Sequence, residues 1–437
     1  MKTLFKNRSF LLLFQGSLVS SIGTSLYGFA AGVYILTLFP SETFGNAGAL
    51  FFAIVAAAPI ITRLIISPIA GALVDKWHRI RIIYITDFIN GILFFSSLYI
   101  LVRYDISIYQ QVLLFSVVGG LAGINAAFFG PAVQSSVPDI VGDDLIQAAN
   151  GAQSIVASVQ GIVGVLAGVI MYEILGIEVA ILANAISFIL SGLSEMFIKT
   201  KYLHKKVEEK KSIASDISVG FDYLKSTPGL IEMMKYILLI NFAFVPLFSV
   251  GMPFLFNTEL GKSGYHLAAS SIVFSIALLI AGVYIGSKKI KSIRQSIVTS
   301  LPKMVIVYTA LVAVVFAIIY GMISYWVFFG AYIATSILMA YYTNKVNIPL
   351  NTALVKGIDP SYRGRVLSIV QALAGAATPL AMVLGGFIIQ VSNVGFLGVF
   401  CIVAMLYPLY GFTRDVKVLS FLDELDQFKP TIMEPVV

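Results

Sequence analysis

Long apolar runs separated by short polar links repeat along the whole chain. Twelve of them approach or exceed the roughly 20 residues that a helix needs to cross a bilayer. They are predicted at about 10–38, 47–73, 82–102, 108–130, 147–172, 176–198, 231–257, 265–286, 300–320, 324–346, 363–390 and 394–412. The runs are continuous rather than alternating, which predicts helices and excludes a membrane barrel. One longer polar segment, 199–230, separates a first set of six runs (1–198) from a second (231–412), and a tail follows at 413–437. Inside that connector Lys199 to Lys211 is a charge run. Ile213, Ile217, Phe221 and Leu224 then fall at helical spacing. This predicts an amphipathic helix lying on the membrane surface and ended by Pro228-Gly229.

The two sets of runs resemble each other. A shift of 218 residues brings Pro131 onto Pro349, Val137 onto Val355, Gln153 onto Gln371 and Gly168 onto Gly386. A shift of 215 brings Gly71 onto Gly286 and Arg79 onto Arg294. The expected fold is therefore an all-α membrane protein, twelve transmembrane helices in two pseudo-symmetric six-helix halves. That is a plan used by secondary transporters, with the substrate site between the halves at mid-depth.

Composition agrees: 58% of the 437 residues are hydrophobic and 12% charged, against about 25% charged in a soluble domain. The single cysteine, Cys401, lies in an apolar run, so neither a disulfide framework nor a metal cluster is expected. The basic N-terminus leads into an apolar run too long for a signal-peptide core, which reads as a retained first helix. The net charge of +7 would suggest nucleic acid in a soluble protein. Here topology accounts for it. With the N-terminus inside, 26 of the 29 Lys and Arg residues fall on one side, the exceptions being Arg63, Arg103 and Lys262. The positive-inside rule then places both termini in the cytoplasm and predicts a multi-pass protein of the cell membrane that binds no nucleic acid.

The link between the second and third runs reads Gly71-Ala-Leu-Val-Asp75-Lys76-Trp-His78-Arg79-Ile-Arg81. It resembles the signature loop of the major facilitator superfamily, roughly G-x-L-A-D-[RK]-x-G-R-[RK], at Gly71, Leu73, Asp75, Lys76 and Arg79. His78 and Ile80 depart from it, with Arg81 one place beyond the usual base. Asn7-Arg8-x-Phe10, Gly16-x-x-x-Ser20-x-x-Gly23, Phe129-x-Pro131-Ala132 and Arg363-Gly364-Arg365-Val366 are similar to the macrolide-efflux and enterobactin-exporter-like branch. The resemblance implies a gate. Asp75 would dock on the start of the eleventh helix, around Gly364 and Arg365, with Arg79 or Arg81 paired to nearby acids. Gly71 would let the second and eleventh helices approach closely, as small residues do in lipid. The matching second-half loop has Ile290 where Asp75's acid would stand, so the latch is expected on one side only.

A charge at the centre of a membrane helix costs about 2.5–3.5 kcal/mol on insertion scales. Two candidates lie deep: Arg63, nominally about 15 Å inside the second helix, and Asp87, about 9 Å inside the third. An Arg63–Asp87 pair is expected, structural or gating, and Asp87 is a candidate proton carrier. Two departures bear on proton coupling: Thr24 stands where some relatives carry an acid, and Gly164-Val165 stands where antiporters show Gly-Pro.

By the family's plan helices one, four, seven and ten line the cavity, with helix five beside them. The candidate lining is Gln15, Tyr27 and Tyr34; Asn125 and Phe129; Gln153 and Gln160; then Asn241, Phe244 and Tyr341. This aromatic, amide-rich set with almost no fixed charge suits a large amphipathic solute. The function expected is secondary export of amphipathic small molecules by alternating access, coupled to protons or another ion, by a monomer in the lipid bilayer. The alternatives are a lysolipid or lipid flippase of the same fold and a non-transporting membrane receptor or assembly protein. No enzyme, cofactor or metal site is expected, since no nucleophile–base set, P-loop or ligand spacing appears.

Overall fold

Continuous apolar sequence in lipid has one economical solution, a helix that satisfies its own backbone. The computed structural model describes residues 2–142, 145–200, 213–288, 292–358 and 363–427, with no strand among them. Twelve long helices follow one another. The first six are α1 (Arg8–Thr37), α2 (Ala47–Lys76), α3 (Arg79–Arg103), α4 (Ile108–Val141), α5 (146–175) and α6 (Ile177–Glu195). The second six are α7 (Leu230–Glu259), α8 (Gly264–Gly286), α9 (Ile293–Ile319), α10 (Tyr325–Gly357), α11 (Arg363–Val391) and α12 (Val394–Arg414). Among the described residues eleven of these are long and apolar enough to span a membrane, and α11 has a shorter apolar stretch, Gly375–Val391.

Local signals set the ends. Asn7 caps α1 through its side-chain oxygen and also donates from Nδ2 to the Ile140 carbonyl, tying that end to α4. Ser107 and Gln110 form a capping box at the start of α4. The halves share a further detail: α4 and α10 both contain an internal proline, Pro131 and Pro349. Three π-helical turns interrupt the pattern, Gln160–Gly164 in α5, and Leu247–Gly251 and Leu255–Glu259 in α7. Such bulges re-aim side chains and recur at functional sites.

The chain forms two compact units that cut across the division read from sequence. The first contains residues 1–210 with 245–275 and 378–397; the second contains 211–244, 276–377 and 398–437. Parts of α7, α8 and α11 thus pack with the N-terminal helices.

Within the first unit, one end of the bundle is sealed by Leu4, Phe10, Leu13, Val74, Ile83 and Ile140, all at most 1% exposed. Within the second unit, a helix not foreseen in the tail, Val416–Gln427, buries Val418, Leu422 and Leu425. Its Asp426 accepts from Ile293 N and Ser292 Oγ, both at 2.6 Å, and so caps the start of α9. Asp423 of the same helix pairs with Arg294. The connector helix is present at Ile213–Ser226, with Leu224 buried and Phe221 exposed. The side chains of Ile213 and Ile217 lie outside the described residues.

Candidate functional site

The deepest acid of the first unit is not paired as expected. Asp87 is 1% exposed and Arg63 is exposed, its guanidinium lying toward Gly130 of α4. The Arg63–Asp87 pair is therefore absent, because the two side chains leave their helices in different directions. Asp87 turns instead toward α6 and lies against Glu195 and Ser191, which are 0% and 1% exposed. No basic side chain is among the groups that bear on either carboxyl.

Small residues create this arrangement. A Cβ on Gly91, one turn beyond Asp87, would stand 2.4 Å from Ile189, and one on Gly192 would stand 3.2 Å from the Phe88 ring. The backbones of α3 and α6 therefore run close together, with Phe94 stacked on Phe188 at 5.8 Å. From the third side, a Cβ on Gly16 of α1 would stand 2.8 Å from Glu195 Oε1 and 3.0 Å from Ser191 Oγ. The carboxyl pair thus fills a space that glycine leaves open.

Asp87 Oδ2, both Glu195 oxygens and Ser191 Oγ are buried with no partner in hydrogen-bonding geometry, although the three residues adjoin one another. Both side-chain atoms of Asn184 are in the same condition farther along α6. Asn184, Ser187, Ser191 and Glu195 form one polar stripe on α6, facing Gly16 and Gly23 of α1. On α3 the stripe is continued by Asn90, which accepts a 2.8 Å hydrogen bond from Asn125 Nδ2 of α4. Glu195 is a candidate site residue that the sequence analysis does not single out. The stripe's spacing of three, four and four was the signal that could have found it.

The gate candidates are placed as follows. Arg79 donates to Asp139 Oδ2 at 2.6 Å and to the Ser135 carbonyl at 2.9 Å, joining the start of α3 to α4. Lys76 and Arg81 are exposed. The side chains of Asp75 and Arg365, and the surroundings of Gly364, lie outside the described residues. Among the described residues Gly71 has nothing within 4 Å of where a Cβ would stand. A close approach of α2 and α11 occurs at their other ends. A Cβ on Gly386 would be 2.7 Å from the Ala49 carbonyl oxygen and 2.8 Å from Ala53. Beside it Asn46 Nδ2 donates to the carbonyls of Ile389 and Ser392, at 3.1 and 2.8 Å, capping the end of α11. Glu173 of α5 accepts from the Gly264 amide at 2.5 Å, an anion at the start of α8.

Several cavity candidates are engaged in packing. Tyr27 sits between the rings of Phe94 and Phe115, at 4.7 and 6.2 Å. Tyr34 donates to Gln111 Oε1 at 2.5 Å. With Asn125 committed to Asn90, these three hold α1, α3 and α4 together rather than presenting free groups to a ligand. Phe129 packs on the sealed end of the first unit. Gln15 is exposed, Gln153 is half-buried with Nε2 unpartnered, and Gln160 lies in the π-helical turn of α5. In the second unit Asn241 donates to the Ile237 carbonyl of its own helix, Phe244 tilts against Tyr308, and Tyr341 lies beside Tyr342.

Comparison with known proteins adds to this geometry. A family model described as Major Facilitator Superfamily matches residues 13–353. The MFS-type transporter YkuC of Bacillus subtilis is 25% identical over 424 residues, covering 93% of this chain and 92% of the relative. Macrolide efflux protein A of Streptococcus pyogenes is 20% identical over 382 residues, 86% and 88% of the two chains. Among solved structures, an inward-facing bacterial homologue of the iron transporter ferroportin matches with TM-score 0.66 at 16% identity, covering 96% and 99%. A D-xylose–proton symporter matches with TM-score 0.69 at 11% identity, covering 94% and 98%. At these identities the structural matches establish the twelve-helix fold and nothing finer.

Proposed function

Because the chain belongs to the major facilitator superfamily, we propose that it is a secondary transporter that exports amphipathic small molecules by alternating access, driven by protons. It works as a monomer in the cell membrane with both termini in the cytoplasm. The observation that carries the mechanism is the closure formed by Asn46, Glu173 and Gly386. In the topology set by the basic links, these contacts lie on the outer side. Asn46 and Glu173 are short polar caps on helix ends and Gly386 is a close glycine contact, so together they can release the outer ends of α8 and α11 as units. The resemblance assigns the inner counterpart to Asp75, a role that the Asp75→Asn variant tests. One closure opens as the other forms.

Coupling falls to Asp87 and Glu195. Two carboxylates in contact repel by about 4 kcal/mol at 4 Å under an effective dielectric of 20, and no cation offsets this. The pair therefore suits one shared proton, taken up in one state and released in the other as α1 and α6 move against α3. Arg63 has no part in it. Export of apolar cargo is supported by the efflux protein among the relatives and by the aromatic, amide-rich candidate lining.

Purified protein in vesicles with an imposed pH gradient tests the reading, with a macrolide or a lipophilic dye as cargo. Movement of such cargo against its gradient, collapsed by a protonophore, is the expected result. Indifference of every amphipathic cargo to the pH gradient would overturn it. The gate makes a separate prediction: Asp75→Asn should reduce transport at least tenfold while purified yield stays normal, and unchanged initial rates would remove Asp75 from the mechanism.

A further inference from the structure

The second unit holds a cavity of which the transport reading uses only Tyr341. It measures about 400 Å³ and lies between the end of α8, the first turns of α9 and the last third of α10. Small-molecule pockets run from roughly 300 to 1,000 Å³, so the space suits a headgroup-sized ligand. Two helices furnish it with the same element, Tyr-x-x-x-Lys: Tyr284 and Lys288 from α8 and the residues just past it, Tyr341 and Lys345 from α10.

The lysines are held by neutral groups. Lys288 Nζ lies 3.9 Å from the Tyr284 ring centroid and 2.5 Å from its hydroxyl, and Lys345 Nζ lies 5.8 Å from the Tyr341 ring. Lys345 also acts electrostatically on Tyr284, so both ammonium groups bear on that tyrosine. No carboxylate lines the cavity among the described residues. Asp426, bonded to the lining residue Ser292, is engaged by Ser292 Oγ and the Ile293 amide, and Asp423 is taken by Arg294. Lys345 is only half-exposed. A partly buried ammonium without an anion is costly, and with the exposed Lys288 beside it in the same concavity the two attract an anion that can accept from both.

We propose that this cavity binds a phosphate-bearing anion, either the headgroup of an anionic phospholipid or a soluble phosphate. Phosphate accepts in several directions at once, which suits two flexible point charges better than a planar carboxylate would. Above the cavity α8 exposes Ile276, Leu279, Ile280 and Val283, an apolar strip along which acyl chains can lie. If the ligand is a lipid, it bridges three helices of the second unit and stiffens them.

Thermal melting of the purified full-length protein tests the site. The arms are phosphatidylcholine vesicles alone, the same with phosphatidylglycerol, and phosphatidylcholine with inorganic phosphate. Binding to the folded state raises the melting temperature, and a rise of several degrees in at least one anionic arm is expected. The rise should vanish in K288Q/K345Q and persist in K225Q/K303Q, which carries the same change of net charge elsewhere. If the double variant yields no folded protein, K288Q and K345Q singly should each lose part of the rise. A rise only with phosphatidylglycerol assigns a lipid; a rise with inorganic phosphate assigns the free anion. No rise in the unaltered protein, or an equal rise in K288Q/K345Q, overturns the site.

Discussion

Asp87→Asn is expected to lower transport driven by a pH gradient to the level of protein-free vesicles while leaving cargo exchange at equal pH intact. The substitution keeps the shape of the side chain and removes only its capacity to lose a proton. Glu195→Gln should do the same, and the double variant should be no worse than either single one, because two groups sharing one proton act as a unit. A merely structural role predicts otherwise. Neutralising one of two adjoining buried acids relieves repulsion, so the melting temperature should hold or rise, whereas loss of a needed buried ion pair would destabilise the fold by about 3–5 kcal/mol and lower it. Arg63→Gln serves as the contrast. With Arg63 exposed and facing α4, it should leave pH-driven transport within twofold of the unaltered protein. Full pH-driven transport by Asp87→Asn would remove the carboxyl pair from coupling.

The difference between the expected pair and the observed one shows what sequence could carry. Helix number and class were legible because a continuous apolar run states its own length and periodicity. Depth was legible as well, since 1.5 Å per residue fixes how far Asp87 lies from a helix end. Azimuth was not. Arg63 and Asp87 sit at compatible depths, yet which way each side points depends on how α3 rolls against α6. That roll is set by Gly91 meeting Ile189 and Gly192 meeting Phe88, contacts between residues about 100 apart in the chain. Glu195 is hidden from sequence for another reason: as the last residue of α6 it looks exposed by position alone. The chain folds back over it: Lys199 N donates to Ser9 Oγ, Ser194 Oγ donates to the Leu12 carbonyl, and Ile198 is buried. Tyr27 and Tyr34 lie seven residues apart, on one face of α1. That face meets Phe115 and Gln111 of α4. The tail helix was missed for a plainer reason, being short and mixed in charge, although Val418, Leu422 and Leu425 fall at spacings of four and three.

Gly123→Val should abolish or nearly abolish recovery of folded protein. A Cβ at Gly123 would stand 2.2 Å from the Pro59 carbonyl oxygen, 2.3 Å from Thr62 Oγ1 and 2.8 Å from the Pro59 Cα. Two of those atoms are backbone, so no rotamer change relieves the overlap and α4 must move off α2. Lipid offers no hydrophobic drive to restore the contact, since helix association there rests on close packing and interhelical hydrogen bonds. One such bond, from Thr62 Oγ1 to the Gly120 carbonyl at 2.7 Å, would be lost with it. Overpacking of this kind costs typically about 1–3 kcal/mol and more where backbone must shift. The consequence reaches the carboxyl pair, because α4 carries the Asn125 that holds Asn90 one turn from Asp87. Gly123→Ala should therefore melt several degrees lower and show a displaced pH dependence of transport in whatever protein survives. Gly330→Ala is the control, with nothing within 4 Å of its Cβ position. Thermal melting of the two alanine variants in the same detergent decides the matter. Equal melting temperatures would mean that α2 and α4 do not meet at this glycine.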